Sequence, residues 1–187
     1  MKANNFKVAG WVATAAVVAF VAEIILTFMS QVPAYTEVAS PRIVCLALAI
    51  HIALASYAMY CLRGFLNERF EFHRADVLIP LLVGGGIALG LAVISSRFYF
   101  EPAISAILMI MIGVPLGVVS VLFGYRLLAV NGAISGYKKP FAYIHMLAPI
   151  CFLSVIFAPL GLLLLLAGQI LLALMFFTDE SPELEFV

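Results

Sequence analysis

The chain has 187 residues, of which 65% are hydrophobic and 11% charged, and its ten basic and ten acidic residues give a formal net charge of zero. Water-soluble domains are about half apolar and a quarter charged, so this composition excludes a soluble globular protein. The balanced charge provides no basic field for nucleic acid. The apolar residues fall in long blocks between short charged stretches, which predicts an all-α, polytopic membrane helix bundle.

The first apolar block covers residues 8–29. Its 22 residues exceed the roughly 7–15 residues of a signal-peptide core, so we interpret the block as the first membrane span rather than a cleaved leader. A polar stretch with Pro33 and Pro41 follows, and it separates this span from a second one over residues 42–62.

Residues 63–76 form the most charged stretch of the chain, which predicts a loop. The third span follows over residues 77–96, and a short loop leads into the fourth span over residues 103–128. Three consecutive glycines at positions 84–86 interrupt the third span, and they indicate a close helix contact, a hinge or a local unwinding.

The last apolar block runs from residue 141 to residue 177. As a single helix its 37 residues would extend roughly 55 Å, against a hydrocarbon core of about 30 Å. The sequence Ala-Pro-Leu-Gly at 158–161 favours a break, since proline removes a helical donor and glycine permits a turn. We therefore predict six transmembrane helices, with five spans and a long kinked last helix as the rival.

Residues 1–178 are predicted to form one transmembrane domain, and residues 179–187 a short acidic tail. Lys and Arg numbers alternate as 2, 1, 3, 1 and 3 from the N-terminus through the first four loops. Because basic residues concentrate on the cytoplasmic side, this alternation predicts a cytoplasmic N-terminus, and we expect a multi-pass protein of a bacterial inner membrane.

Glu23 is the most informative single residue, because it lies inside the first span. A lone carboxylate at that depth costs about 2.5–3.5 kcal/mol on insertion scales, and the cost falls if the group is protonated, paired or hydrated. Glu23 therefore indicates a proton site, a cation site or a contact to a polar ligand. The structural alternative is a neutral acid that is hydrogen-bonded between helices.

His51 lies nine residues into the second span, at a depth similar to that of Glu23 on an antiparallel neighbour. The two side chains are predicted to form a hydrogen-bonded pair that titrates jointly, with a purely structural histidine as the alternative. Gln169 lies midway along the last span, where its amide needs partners. Glu23, His51 and Gln169 are the candidate ligand or proton-site residues.

His145 lies near the start of the fifth span, at a depth that differs from that of His51. A bis-histidine haem needs its two ligands at one level, so we predict no cofactor, with haem as a low-ranking alternative. The sequence contains no nucleophile elbow, no zinc-protease motif and no phosphate-binding loop, so no catalytic residue and no metal site is predicted.

Basic residues near the ends of the spans are candidates for contact with anionic lipid or with a protein partner. They are Arg63, Arg69, Arg74, Arg126, Lys138 and Lys139.

Together these features predict a non-enzymatic integral membrane protein, either a small transporter or a membrane-embedded subunit of a larger complex. Its expected partners are the lipid bilayer and other membrane subunits or further copies of the chain, but not nucleic acid. The alternatives are an intramembrane redox protein that binds haem or quinone, and a lipid-modifying membrane enzyme.

Overall fold

A computed structural model describes residues 4–130 and 136–178. Lys2, residues 131 and 132 of the fourth loop, and the predicted acidic tail at 179–187 lie outside the described residues.

The described residues form six α-helices and no strand, which confirms the predicted all-α bundle. Short 3-10 helices lie in three of the connections, at Pro33–Tyr35, His73–Ala75 and Val155–Phe157. The α-helices are α1 (Asn4–Met29), α2 (Pro41–Phe70), α3 (Leu78–Ser96), α4 (Pro102–Leu128), α5 (Lys138–Leu153) and α6 (Ala158–Phe177).

Among the described helices, α1, α2, α3, α4 and α6 are long and apolar enough to cross a membrane, which fits a multi-pass membrane protein. Helix α5 has 16 residues and extends about 24 Å, somewhat less than the hydrocarbon core of about 30 Å.

The last apolar block folds into two helices, so the single long helix of the five-span alternative is wrong. Helix α5 ends at Leu153, and the extended backbone of Ser154 (φ −101°, ψ 116°) turns the chain before α6 begins at Ala158. This turn lies just before the predicted break. The reason is that Pro159 occupies the first turn of α6, where its missing N–H would have no helical partner.

Helix α2 continues to Phe70, eight residues beyond the predicted end at residue 62, so the first part of the charged stretch is helical and not a loop. Phe65 and Leu66 explain the extension, because they continue the buried face of α2 and are 1% and 0% exposed. The Phe65 ring makes edge contacts with Phe6 of α1 and Phe176 of α6. The helix ends where Glu71 takes a left-handed conformation (φ 49°).

Each helix packs against its neighbours in the chain, and α6 packs back against α1, so the six helices close into a ring. Helix α1 therefore lies between α2 and α6. Four of its buried positions, spaced four, three and four residues apart, are mostly alanines, which allow both neighbours to approach closely. They are Ala9, Ala13, Ala16 and Phe20.

The three glycines of α3 do not unwind the helix, which is continuous from Leu78 to Ser96. Gly85 lies so close to α4 that an added Cβ would be 2.7 Å from Leu116 Cδ1. Gly84 and Gly86 have open space where a Cβ would be. A close helix contact, one of the three interpretations left open, is thus present at Gly85.

Candidate functional site: a carboxylate, an imidazole and an amide between three helices

The structure brings together the three polar residues that the sequence singles out inside the spans. Glu23 Oε2 of α1 lies 2.8 Å from His51 Nδ1 of α2. On the other side of the imidazole, Gln169 Nε2 of α6 lies 2.7 Å from His51 Nε2. The side chains of His51 and Glu23 are 13% and 19% exposed, so the site is largely enclosed by protein.

Helical periodicity directs these three side chains toward one another. Glu23 lies one turn after Phe20, at the end of the buried alanine stripe of α1. His51 lies seven residues from both Val44 and Ala58, two buried positions of α2. Gln169 precedes buried Leu172 of α6 by one turn, and it therefore shares the inward face of that helix.

An aromatic ring completes the site. The ring of Phe20 stacks on the imidazole of His51, with centroids 4.6 Å apart and planes at 30°. Sequence reasoning missed this contact. The available signal was spacing, since Phe20 lies three residues before Glu23 and therefore on the same face of α1. The stacked ring limits rotation of the imidazole, so His51 is held with one nitrogen toward Glu23 and the other toward Gln169.

The two short contacts define the proton positions. When the Gln169 amide nitrogen faces His51 Nε2, the amide donates, so Nε2 carries no proton. The imidazole proton then lies on Nδ1 and is donated to the Glu23 carboxylate. This arrangement contains one shared proton, and both hydrogen bonds have suitable donors and acceptors.

A second proton on the imidazole changes the orientation of Gln169. Both ring nitrogens of His51 then carry hydrogens, and Nε2 needs an acceptor in place of the amide N–H. Gln169 Oε1 is the available acceptor, because it is buried and has no hydrogen-bond partner in the described part of the chain. Protonation of the His51 imidazole is thus linked to reversal of the Gln169 amide.

A second polar contact inside the bundle joins α4 and α5. Ser120 Oγ lies 3.0 Å from His145 Nδ1 and 2.8 Å from the backbone oxygen of His145. The His145 ring also makes edge contacts with Phe123 and Phe141. The structure therefore places His145 in an aromatic and hydroxyl environment on helices other than α1, α2 and α6.

Haem ligation by His51 requires one ring nitrogen to be free. In the described structure Nδ1 faces Glu23 and Nε2 faces Gln169, so iron could bind only after one of these hydrogen bonds is broken. Within residues 4–130 and 136–178, no group of three or more His, Cys, Asp or Glu side chains is arranged to hold a metal ion.

The six basic candidates lie in different local environments. Arg63 Nε donates to Asp76 Oδ1 at 2.7 Å, and Lys138 Nζ donates to the backbone oxygen of Val130 at 2.7 Å. The structure brings Arg74 and Arg126 together in one groove, whereas Arg69 lies in the last turn of α2 and Lys139 is exposed at the start of α5.

No protein-family model, curated protein or solved structure matches the chain. Evidence for function therefore comes from the residues and their geometry.

Proposed function

We propose that the chain is a small proton-coupled membrane transporter, and that Glu23, His51 and Gln169 are its proton site. The observation that carries this proposal is the 2.8 Å contact between a carboxylate and an imidazole inside two apolar helices. Ionisable residues inside membrane segments are costly, and they commonly mark proton or substrate pathways.

Histidine suits this role because its charge changes near neutral pH. Glu23 and His51 share their protons, so the pair can be loaded from one side of the membrane and emptied toward the other. A third helix responds when the imidazole is protonated, because the Gln169 amide on α6 must then present its oxygen to His51 Nε2 in place of its N–H. Proton binding therefore changes the contact between α6 and the pair formed by α1 and α2.

The large share of residues in the apolar helices supports a transporter. Most described residues belong to the six helices, and the described connections between helices are short. A proton site inside such a bundle has a direct use in moving a solute across the membrane. The same site would also serve a membrane-embedded subunit that conducts protons for a larger assembly.

Infrared titration of the purified protein tests the proton site directly. The carboxyl C=O band of a protonated Glu23 should appear as the pH falls, and it should be absent from Glu23→Gln. Glu37→Gln is the matched control, because Glu37 is an exposed carboxylate on the α1–α2 connection. A titrating band that survives in Glu23→Gln and disappears in Glu37→Gln would overturn the assignment.

Proteoliposomes with an internal pH indicator test transport. Under a pH gradient with the membrane potential clamped, the wild type and Glu37→Gln should acidify the lumen equally, and Glu23→Gln and His51→Gln should not. Size-exclusion chromatography should first show that all four proteins are folded. Equal rates of acidification in the four samples would then contradict a proton-coupled transporter. Proton flux that appears only when other protein chains co-purify would favour the alternative, a membrane-embedded subunit of a larger assembly.

A further inference from the structure

A basic groove lies at the end of the bundle where α2 and α4 finish. It is open, has a volume of about 620 Å³, and is lined by Arg74, Tyr125, Arg126, Leu128 and Ala129. Arg74 belongs to the short 3-10 helix before α3. Tyr125, Arg126 and Leu128 belong to the end of α4, and Ala129 directly follows that helix. The groove thus joins two segments that are about fifty residues apart in the chain.

The two guanidinium groups of the groove have donors to spare. Arg126 Nη1 donates to the backbone oxygen of Arg74 at 3.0 Å, which fixes the Arg126 side chain across the groove. Guanidinium has five N–H donors, so most of those on Arg126 remain available. No carboxylate of the described residues pairs with Arg74 or Arg126.

The nearest carboxylate in the sequence, Asp76, already accepts several hydrogen bonds. Arg63 Nε and Asn67 Nδ2 each lie 2.7 Å from Asp76 Oδ1, and His73 Nδ1 lies 3.1 Å from Asp76 Oδ2. Both oxygens are therefore engaged away from the groove. Within residues 4–130 and 136–178, no carboxylate thus neutralises the positive charge of Arg74 and Arg126, and the two side chains can bind an external anion.

The surroundings of the groove specify the kind of anion. Arg126 lies in the last turn of α4, a helix apolar enough to cross a membrane, so its charge lies where that helix leaves the apolar layer. Val118, Leu122 and Tyr125 recur at helical spacing on one face of α4 and are 56%, 46% and 65% exposed. This apolar strip leads along α4 to the groove.

We infer that Arg74 and Arg126 bind the phosphate of an anionic phospholipid whose acyl chains lie along the exposed strip of α4. Arginine presents paired N–H groups that match phosphate oxygens, and Tyr125 lies at the level where tyrosine side chains border a bilayer. A free phosphate ion would use the arginines alone, whereas a phospholipid uses both the charge and the apolar strip.

Native mass spectrometry of the full chain in detergent tests this inference, with phosphatidylglycerol and phosphatidylcholine as probes. Phosphatidylglycerol should bind more tightly. Arg74→Gln should weaken its binding about tenfold or more, the effect of losing charge-assisted hydrogen bonds. Arg74→Gln is the cleaner variant, because the backbone oxygen that accepts from Arg126 remains. Arg126→Gln should produce a similar or larger loss.

Lys139→Gln is the matched control, because Lys139 is an exposed basic residue outside the groove. It should change phosphatidylglycerol binding less than twofold. Equal losses in Lys139→Gln and Arg74→Gln would indicate attraction by diffuse charge and overturn the inference. Inorganic phosphate that displaces the lipid completely would indicate a site for the free ion. Equal binding of the two lipids would also overturn it.

Discussion

Ser120 Oγ donates a hydrogen bond from α4 to the backbone oxygen of His145 on α5, across 2.8 Å. In a regular helix this oxygen would accept from the N–H four residues later, but position 149 is a proline, which has none. The serine hydroxyl thus supplies the donor that Pro149 removes, and the Ser120 Oγ atom itself accepts from His145 Nδ1 at 3.0 Å. The α4–α5 contact depends on this compensation.

Replacing Ser120 with alanine is therefore expected to lower the free energy of unfolding by about 1–2 kcal/mol, since a buried carbonyl loses its donor. The measurement is reversible unfolding in mixed detergent micelles. Ser105→Ala is the control on the same helix, because the Ser105 hydroxyl is buried without a partner in the described residues and its loss should cost little.

The mechanism has a sharper test in a double-mutant cycle. Pro149→Ala restores the missing N–H, so the cost of Ser120→Ala should be smaller in that background by about 0.5–1 kcal/mol. An equal cost in both backgrounds would show that Ser120 stabilises the helix pair in another way.

Gly124 should tolerate no side chain, because a Cβ there would lie 2.5 Å from the backbone oxygen of Ala142 on α5. We expect Gly124→Ala to lower the free energy of unfolding by about 1–3 kcal/mol, since neither backbone can move freely. Gly113 of the same helix has open space at its Cβ position. Gly113→Ala should be neutral or stabilise by up to about 1 kcal/mol, and destabilisation by both variants would contradict this explanation.

Phe65 lies in the part of α2 that extends beyond the predicted span, and its ring contacts those of Phe6 and Phe176. Loss of so buried a ring is expected to lower the free energy of unfolding by about 3 kcal/mol in Phe65→Ala. Tyr60→Ala, at a position 48% exposed on the same helix, is the control and should cost much less. Similar costs would show that the extension of α2 contributes little to packing.

The levels of Glu23 and His51 could be predicted from sequence because the rise of a helix is constant and the first two spans share one short connection. The partner of Gln169 could not be predicted from sequence, because the level of Gln169 in the bundle depends on where the chain turns between α5 and α6. That turn occurs at Ser154, and only the position of Pro159 in the first turn of α6 explains it.

The end of α2 was missed for a different reason. Charged residues in the segment after residue 62 indicate a loop when they are counted together, but Phe65 and Leu66 continue the helical spacing of the buried face. Burial of two large side chains decides the local structure there, and the charges occupy the remaining faces. Periodicity is thus a better guide than composition at the end of this span.

Gln169→Leu separates the functional role of Gln169 from its structural role. The variant loses one hydrogen bond to His51, but it also removes the buried Oε1 that has no partner in the described residues. These effects oppose each other, so the free energy of unfolding should change by less than about 1 kcal/mol. Leu172→Ala, one turn later and 4% exposed in the wild type, should cost about 2–5 kcal/mol.

The imidazole proton should respond to Gln169→Leu even though stability does not. In the wild type the amide N–H keeps His51 Nε2 unprotonated, and ¹⁵N NMR should show the Nδ1–H tautomer. Without the amide, Nε2 is free to carry the proton, so the variant should show a mixture of tautomers. The chain has three histidines, and variants of His73 and His145 assign the signals. An unchanged tautomer in Gln169→Leu would mean that Glu23 alone orients His51, and α6 would then have no part in proton binding.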